Sequence, residues 1–142
     1  FVSEETSRRM FRKTGCLEDI LKSYADEYGV KIVAATQRTV ISPRKHCFTS
    51  TLYDAQSGQF FTEEPYKDID VIDRIGSGDA YVAGVLFGLL KYQDPRKAME
   101  FGNATSSVKN TVPGDLPSSD FKEIDRIIRE HHSTGPVSEM NR

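Results

Sequence analysis

A short apolar-acidic run, residues 69–73, leads into a Gly-x-Gly turn at Gly76 and Gly78, and an apolar helical pattern starts at once on Asp79. Strand, tight turn and helix in immediate succession form the strand-to-helix unit of an α/β fold, in which ligands bind at the carboxyl ends of strands. Glycines let the backbone turn sharply and expose its amides. The first turn of the helix then presents orphan N–H groups and a positive dipole end, a ready anion site. A carboxylate held beside a bound phosphate is placed to deprotonate a hydroxyl, which is the geometry of phosphoryl transfer. Asp79 has a plainer reading as well, since aspartate is a favoured N-cap. No Gly-Lys-Ser/Thr follows, so the turn is not a P-loop. Tyr81 stands where a dinucleotide fingerprint needs its third glycine.

The flanking sequence supplies the rest of an α/β unit. Leu17, Ile20, Leu21, Tyr24 and Ala25 recur at helical spacing, with Gly29 where a C-terminal cap belongs. Residues 30–35 have the profile of a buried parallel strand. Residues 46–53 and 59–62 flank the turn at 54–58 and predict a hairpin, and residues 69–72 a further short strand. Three helices follow. The first, from Asp79 to about Lys91, is apolar nearly all round through Val82, Val85, Leu86, Leu89 and Leu90, and is expected to be buried. Gly84 and Gly88 mark one of its faces for close packing. The second opens at Pro95 and runs to about Asn110. The third opens at Ser118, Ser119 and Asp120, with Glu123 in capping-box position, and buries Phe121, Ile124, Ile127 and Ile128. Residues 133–142 read as a polar, loosely ordered tail.

Composition narrows the function classes. With 142 residues, 37% hydrophobic and 28% charged, the chain carries one ordinary core. A net charge of −2 without any long Lys/Arg run argues against nucleic acid. No apolar stretch suits a membrane span. Cys16 and Cys47 have neither metal nor redox spacing. His46, His131 and His132 suggest no metal site, and Arg8, Arg9, Arg12 and Lys13 read as a solvated helix face. A cytoplasmic protein is expected.

The run Asp73-Arg74-Ile75-Gly76-Ser77-Gly78-Asp79-Ala80-Tyr81, followed by Ala83-Gly84, resembles the C-terminal signature of the ribokinase-like (PfkB) carbohydrate kinases, roughly Asp-Thr-x-Gly-Ala-Gly-Asp-Ala-Phe and then Ala-Gly or Gly-Gly. Arg74 and the later run from Lys109 to Asp115 are most similar to the 2-keto-3-deoxygluconate kinase branch. The resemblance covers residue 30 or so to the end. It implies a ribokinase-like α/β fold, a mostly parallel sheet with flanking helices. Because the signature lies mid-chain, residues 1–142 are expected to be the C-terminal nucleotide-binding and catalytic part of a longer single domain.

The resemblance also implies site roles. Asp79 would be the catalytic base. The backbone amides of Gly76, Ser77, Gly78 and Asp79 would form the anion hole, with ATP and Mg²⁺ as cofactors. Asn103 would contact adenine, or else sit on a solvated helical face. Thr111, Gly114 and Ser118 would border the nucleotide. Asp73 and Ser118 stand where relatives can hold a monovalent cation, although Asp73 also suits capping of the turn. Relatives carry a glycine-rich nucleotide loop where this chain reads Thr36-Gln37-Arg38-Thr39-Val40. Thr36 could keep a hydroxyl contact and Arg38 could reach phosphate or simply be a surface cation. Glu4 and Glu5 occupy the region of a Mg²⁺-organising acid without reproducing its motif, and an exposed first helical turn is the plainer reading. The implied reaction is phosphorylation of 2-keto-3-deoxygluconate to 2-keto-3-deoxy-6-phosphogluconate. Fructokinase, ribokinase or adenosine-type nucleoside kinase chemistry shares the signature. A nucleotide-binding part that is inactive alone, and associates with itself, is the non-enzymatic alternative.

Overall fold

The structure, a computed structural model, describes residues 1–133. In chain order its elements are β1 (Val2–Ser3), α1 (Glu4–Arg9), α2 (Leu17–Tyr28), β2 (Ile32–Ser42), β3 (Lys45–Asp54), β4 (Gln59–Thr62), β5 (Tyr66–Asp70), α3 (Ser77–Tyr92), α4 (Pro95–Lys109) and α5 (Phe121–Ser133). Alternation along the two long strands decides how they stack. Val33, Ala35 and Tyr53 turn to one face of the sheet, where Ile20, Leu21, Tyr24 and Ala25 of α2 cover them. Ala34, Phe48 and Leu52 turn to the other, under α3, α4 and Ile124 of α5. Period-two side-chain placement thus makes a sheet with two apolar faces, and helices must cover both.

The sheet is mixed, where the resemblance led to a mostly parallel one. Among the described residues only β1 pairs parallel, with β2; β3 is antiparallel to β2, β4 and β5. The hairpin at residues 54–58 forms as expected: Asp54 accepts from Gln56 N and Ser57 Oγ, and Gly58 closes the turn with positive φ. Another hairpin was not anticipated. The strand begun at residue 32 runs on through Thr36 and Arg38 to Ser42, turns at Pro43-Arg44 and returns as β3. The stretch taken for a nucleotide loop is therefore strand. The strand expected at 69–72 ends at Asp70, because the amides of Ile72 and Asp73 leave the sheet and donate to Asn110 O, at 2.8 and 3.2 Å.

The helices follow the sequence more closely. Gly29, φ 62°, ends α2 by donating to Ala25 O. Asp94 caps α4 ahead of Pro95, accepting from Arg96 N at 2.9 Å. Asp120 Oδ1 accepts from Glu123 N at the start of α5. Helices α3 and α4 pack backbone to backbone: a Cβ on Gly88 would stand 2.5 Å from Ala98 Cα, and one on Gly84 would stand 2.8 Å from Gly102 Cα. The expectation that α3 is buried all round is corrected. Ala80, Tyr81, Gly84, Val85 and Gly88 are buried, but Leu86 and Leu90 face out, Leu90 at 83% exposure. In α5, Ile124 is buried, Ile127 and Ile128 are half-buried, and Phe121 is exposed. The expected tail at 133–142 lies outside the described residues except for Ser133, which ends α5.

Candidate active site

Helix α3 begins at Ser77, two residues before the expected start, with Gly76 as its N-cap at φ 79°. Asp79 is consequently inside the first turn and does not cap the helix. Its carboxylate is exposed and makes no hydrogen bond or ion pair among the described residues. Of the four amides assigned to an anion hole, that of Ser77 donates to Arg74 O at 3.2 Å. Those of Gly78 and Asp79 are left free by the helix geometry. Gly76 is held by its surroundings as well as by its φ: a Cβ there would lie 1.9 Å from Asp115 O. The turn is thereby pinned to the segment following α4.

A cleft of about 620 Å³ opens in front of this turn. Ser77 and Gly78 line it from α3, Thr36 and Arg38 from β2, His46 from β3 and Glu4 from α1. The two β2 residues singled out in the sequence thus meet the glycine turn, although they sit on a strand. Glu4 Oε1 accepts from Arg8, and Glu4 Oε2 accepts from Gln37 Nε2 at 3.1 Å. Arg8, expected on a solvated face, also lines the cleft. His46 was not foreseen here. It is 4% exposed, and burial, reinforced by Arg38 and Arg74, holds its imidazole below the usual range. Its signal lay in the period-two pattern of β3, which turns it inward beside Phe48.

The remaining candidates lie elsewhere. Asp73 Oδ1 accepts from Ile75 N at 3.0 Å and Oδ2 from Gly114 N at 3.1 Å, and these backbone donors lower its carboxyl pKa. Gly114 adopts φ 87° to make that contact. Where a monovalent cation was considered, the fully buried Lys109 donates from Nζ to Asp73 O and Val112 O, at 3.2 and 3.3 Å. Ser118 is exposed. Thr111 Oγ1 donates to Val108 O and finishes α4. Asn103, considered for adenine or for a solvated face, is fully buried, and its Nδ2 donates to Glu63 Oε1 at 2.6 Å. It does not line the cleft. Tyr81 packs in the core, 1% exposed, as expected. Among the described residues no helix is long and apolar enough to cross a membrane.

The arrangement has counterparts. Over 75 residues the chain is 36% identical to the 2-dehydro-3-deoxygalactonokinase of Haloferax volcanii, an overlap of 53% of this chain and 24% of that protein. It is 31% identical over 91 residues to the 5-dehydro-2-deoxygluconokinase of Shouchella clausii, covering 62% of this chain and 27% of that one. The crystal structure of the 2-dehydro-3-deoxygluconokinase of Thermotoga maritima superimposes on 90% of this chain with a TM-score of 0.82 and 25% identity, using 40% of its own length. The chain therefore spans about a quarter of the curated relatives it matches. Residues 25–121, which hold the glycine turn, both hairpins and helices α3 and α4, match the sequence pattern of the pfkB family carbohydrate kinases, and the chain belongs to that family.

Proposed function

We propose that this chain carries the phosphoryl-transfer part of an ATP-dependent sugar kinase. The observation that carries the reading is the first turn of α3. An unpaired, exposed Asp79 carboxylate stands on this turn beside the free amides of Gly78 and Asp79; Ser77 and Gly78 of the turn line the cleft with Thr36 and Arg38, while Asp79 itself stands outside that lining. In the proposed reaction Asp79 takes the proton of the attacking hydroxyl. That oxygen bonds to the γ-phosphorus of ATP, and the bond to the ADP oxygen breaks. The amides of Gly78 and Asp79 hold the transferring oxygens and Arg38 adds positive charge, so most of the rate comes from alignment and charge stabilisation. Mg²⁺ carried in with ATP would supply counter-charge to the phosphates; Glu4, held by Arg8 and Gln37, and Glu5, paired with Arg9, are already engaged by side chains of this protein.

The proposed substrate is a dehydro-deoxy sugar acid, 2-keto-3-deoxygluconate first, phosphorylated at its terminal hydroxyl. The support is the resemblance of the 73–81 signature and the names of three relatives that act on acids of this class. An adenine contact at Asn103 belongs to the proposal on resemblance alone, and it requires Glu63 to release the amide it now holds.

Asp79→Asn in the full-length protein tests the reading. Turnover should fall by roughly 10²–10⁴-fold, while ATP affinity changes only a few-fold. Turnover comparable to wild type would remove Asp79 from the chemistry. A panel of dehydro-deoxy sugar acids, fructose and ribose then ranks kcat/KM; a preference for the neutral sugars would overturn the substrate assignment.

A further inference from the structure

Glu63 follows β4, Glu100 lies in α4 and His132 near the end of α5, and the fold gathers one ligand atom of each within 4.8 Å of the others. His132 Nε2 stands 3.6 Å from Glu63 Oε2 and 3.7 Å from Glu100 Oε1. Both distances are too long for N–H···O hydrogen bonds. They do suit three ligands on one ion. At the roughly 2.0–2.2 Å bond lengths of zinc, tetrahedral N and O ligands stand about 3.3–3.6 Å apart.

Glu63 supplies an independent observation. Its side chain is only 7% exposed, and Oε2, the oxygen facing His132, is buried without a hydrogen-bond partner. A buried carboxylate oxygen left unpaired is costly, and a cation relieves that cost. The other oxygen, Oε1, is held by Asn103 Nδ2 at 2.6 Å. That bond fixes the orientation of the carboxylate, as outer-shell partners commonly do for metal ligands. Glu100 and Asn103 are three apart on α4, so ligand and orienting amide share one helical face.

We propose that Glu63, Glu100 and His132 form a binding site for a divalent transition-metal ion, zinc fitting best, that ties the β4–β5 connection to α4 and α5. Two carboxylates and an imidazole are a borderline donor set that favours zinc over magnesium or calcium. None of the three residues lines the cleft at the start of α3, but an ion here and an adenine contact at Asn103 would exclude one another, because both claim the amide that holds Glu63. Zinc here joins three segments distant in sequence, a structural staple whose binding energy adds to folding.

The test uses the full protein, free of any affinity tag and stripped with a chelator, titrated with zinc chloride against a chromogenic zinc indicator. One equivalent of zinc should bind at micromolar or tighter affinity and raise the melting temperature, and magnesium chloride should do neither. His132→Ala alters a half-exposed side chain and should fold normally by circular dichroism. It and Glu100→Gln should each weaken zinc by roughly tenfold or more. The double change Cys16→Ser with Cys47→Ser should leave the affinity intact. Absence of stoichiometric binding, unchanged affinity in both His132→Ala and Glu100→Gln, or loss only on removing the cysteines would overturn the proposal. X-ray absorption showing an all N/O shell with one imidazole would support it, and sulfur in the shell would overturn it.

Discussion

The two glycines of the turn differ sharply in what they permit. At Gly76, alanine has to adopt φ 79° and place its Cβ 1.9 Å from Asp115 O, a backbone atom that cannot rotate away. The left-handed conformation costs roughly 1–2 kcal/mol for a residue with a Cβ. Relieving an overlap of this kind by moving backbone adds about 1–3 kcal/mol more. Gly76→Ala should therefore destabilise by about 2–5 kcal/mol, lowering the melting temperature by roughly 6 °C or more for a domain of this size. Gly78 has ordinary φ and its Cβ would meet nothing within 4 Å. Gly78→Ala lies in a helical first turn, where alanine is the better helix former by about 0.5–1 kcal/mol, so stability should hold or rise slightly. Differential scanning calorimetry on both variants reads the contrast, and Mg·ATP titration of each reads the site. Gly76→Ala should lose nucleotide binding with stability, since relaxation displaces the turn from the 113–115 segment. Equal melting temperatures for the two variants would refute the claim that the Asp115 contact pins the turn.

Lys109→Ala should destabilise by about 1–3 kcal/mol, because Asp73 O and Val112 O lose their buried donor. Potassium should partly restore the melting temperature of that variant and leave wild type unmoved; a potassium response in wild type would contradict the assignment of this position to the lysine. Because burial lowers the His46 pKa in the folded protein, the unfolded chain binds the proton first as pH falls, near the ordinary imidazole value of about 6.5. The stability from keeping the ring neutral is thus present above about pH 6.5 and lost as pH falls below it. The melting-temperature advantage of wild type over His46→Asn should shrink between about pH 7.5 and 5.5, and a constant difference would rule the linkage out. Self-association, if it follows from the outward face of α3, should weaken in Leu90→Asp by size exclusion, with stability changed by no more than about 0.5 kcal/mol.

What could be read from the sequence was whatever a local backbone pattern dictates. The glycine turn leading directly into a helix was legible because it is a local consequence of glycine and helix geometry, but the helix starts at Ser77 and not at Asp79, and the Ser77 amide is held by Arg74 O. The cap at Gly29, the opening of α4 at Pro95 and that of α5 at Asp120 were legible for the same reason. Strand β2 was misjudged past Ala35 because Thr36 to Val40 alternates weakly, and only its antiparallel register with β3, Thr36 opposite Ser50 and Arg38 opposite Phe48, makes it strand. Leu86 and Leu90 were misjudged because hydrophobicity reports what a helix can bury, not how many neighbours reach it; the close glycine contacts of α3 fall on the opposite face, toward α4. Asn103 shows the limit most clearly. Its place in α4 was readable, but its partner Glu63 is 40 residues away, brought there by the turn of a hairpin and the crossing of a helix. Such a contact depends on two elements being positioned by others, so no spacing in the sequence encodes it. The backbone turn was therefore visible in one dimension, and the side-chain cluster beside Asn103 required three.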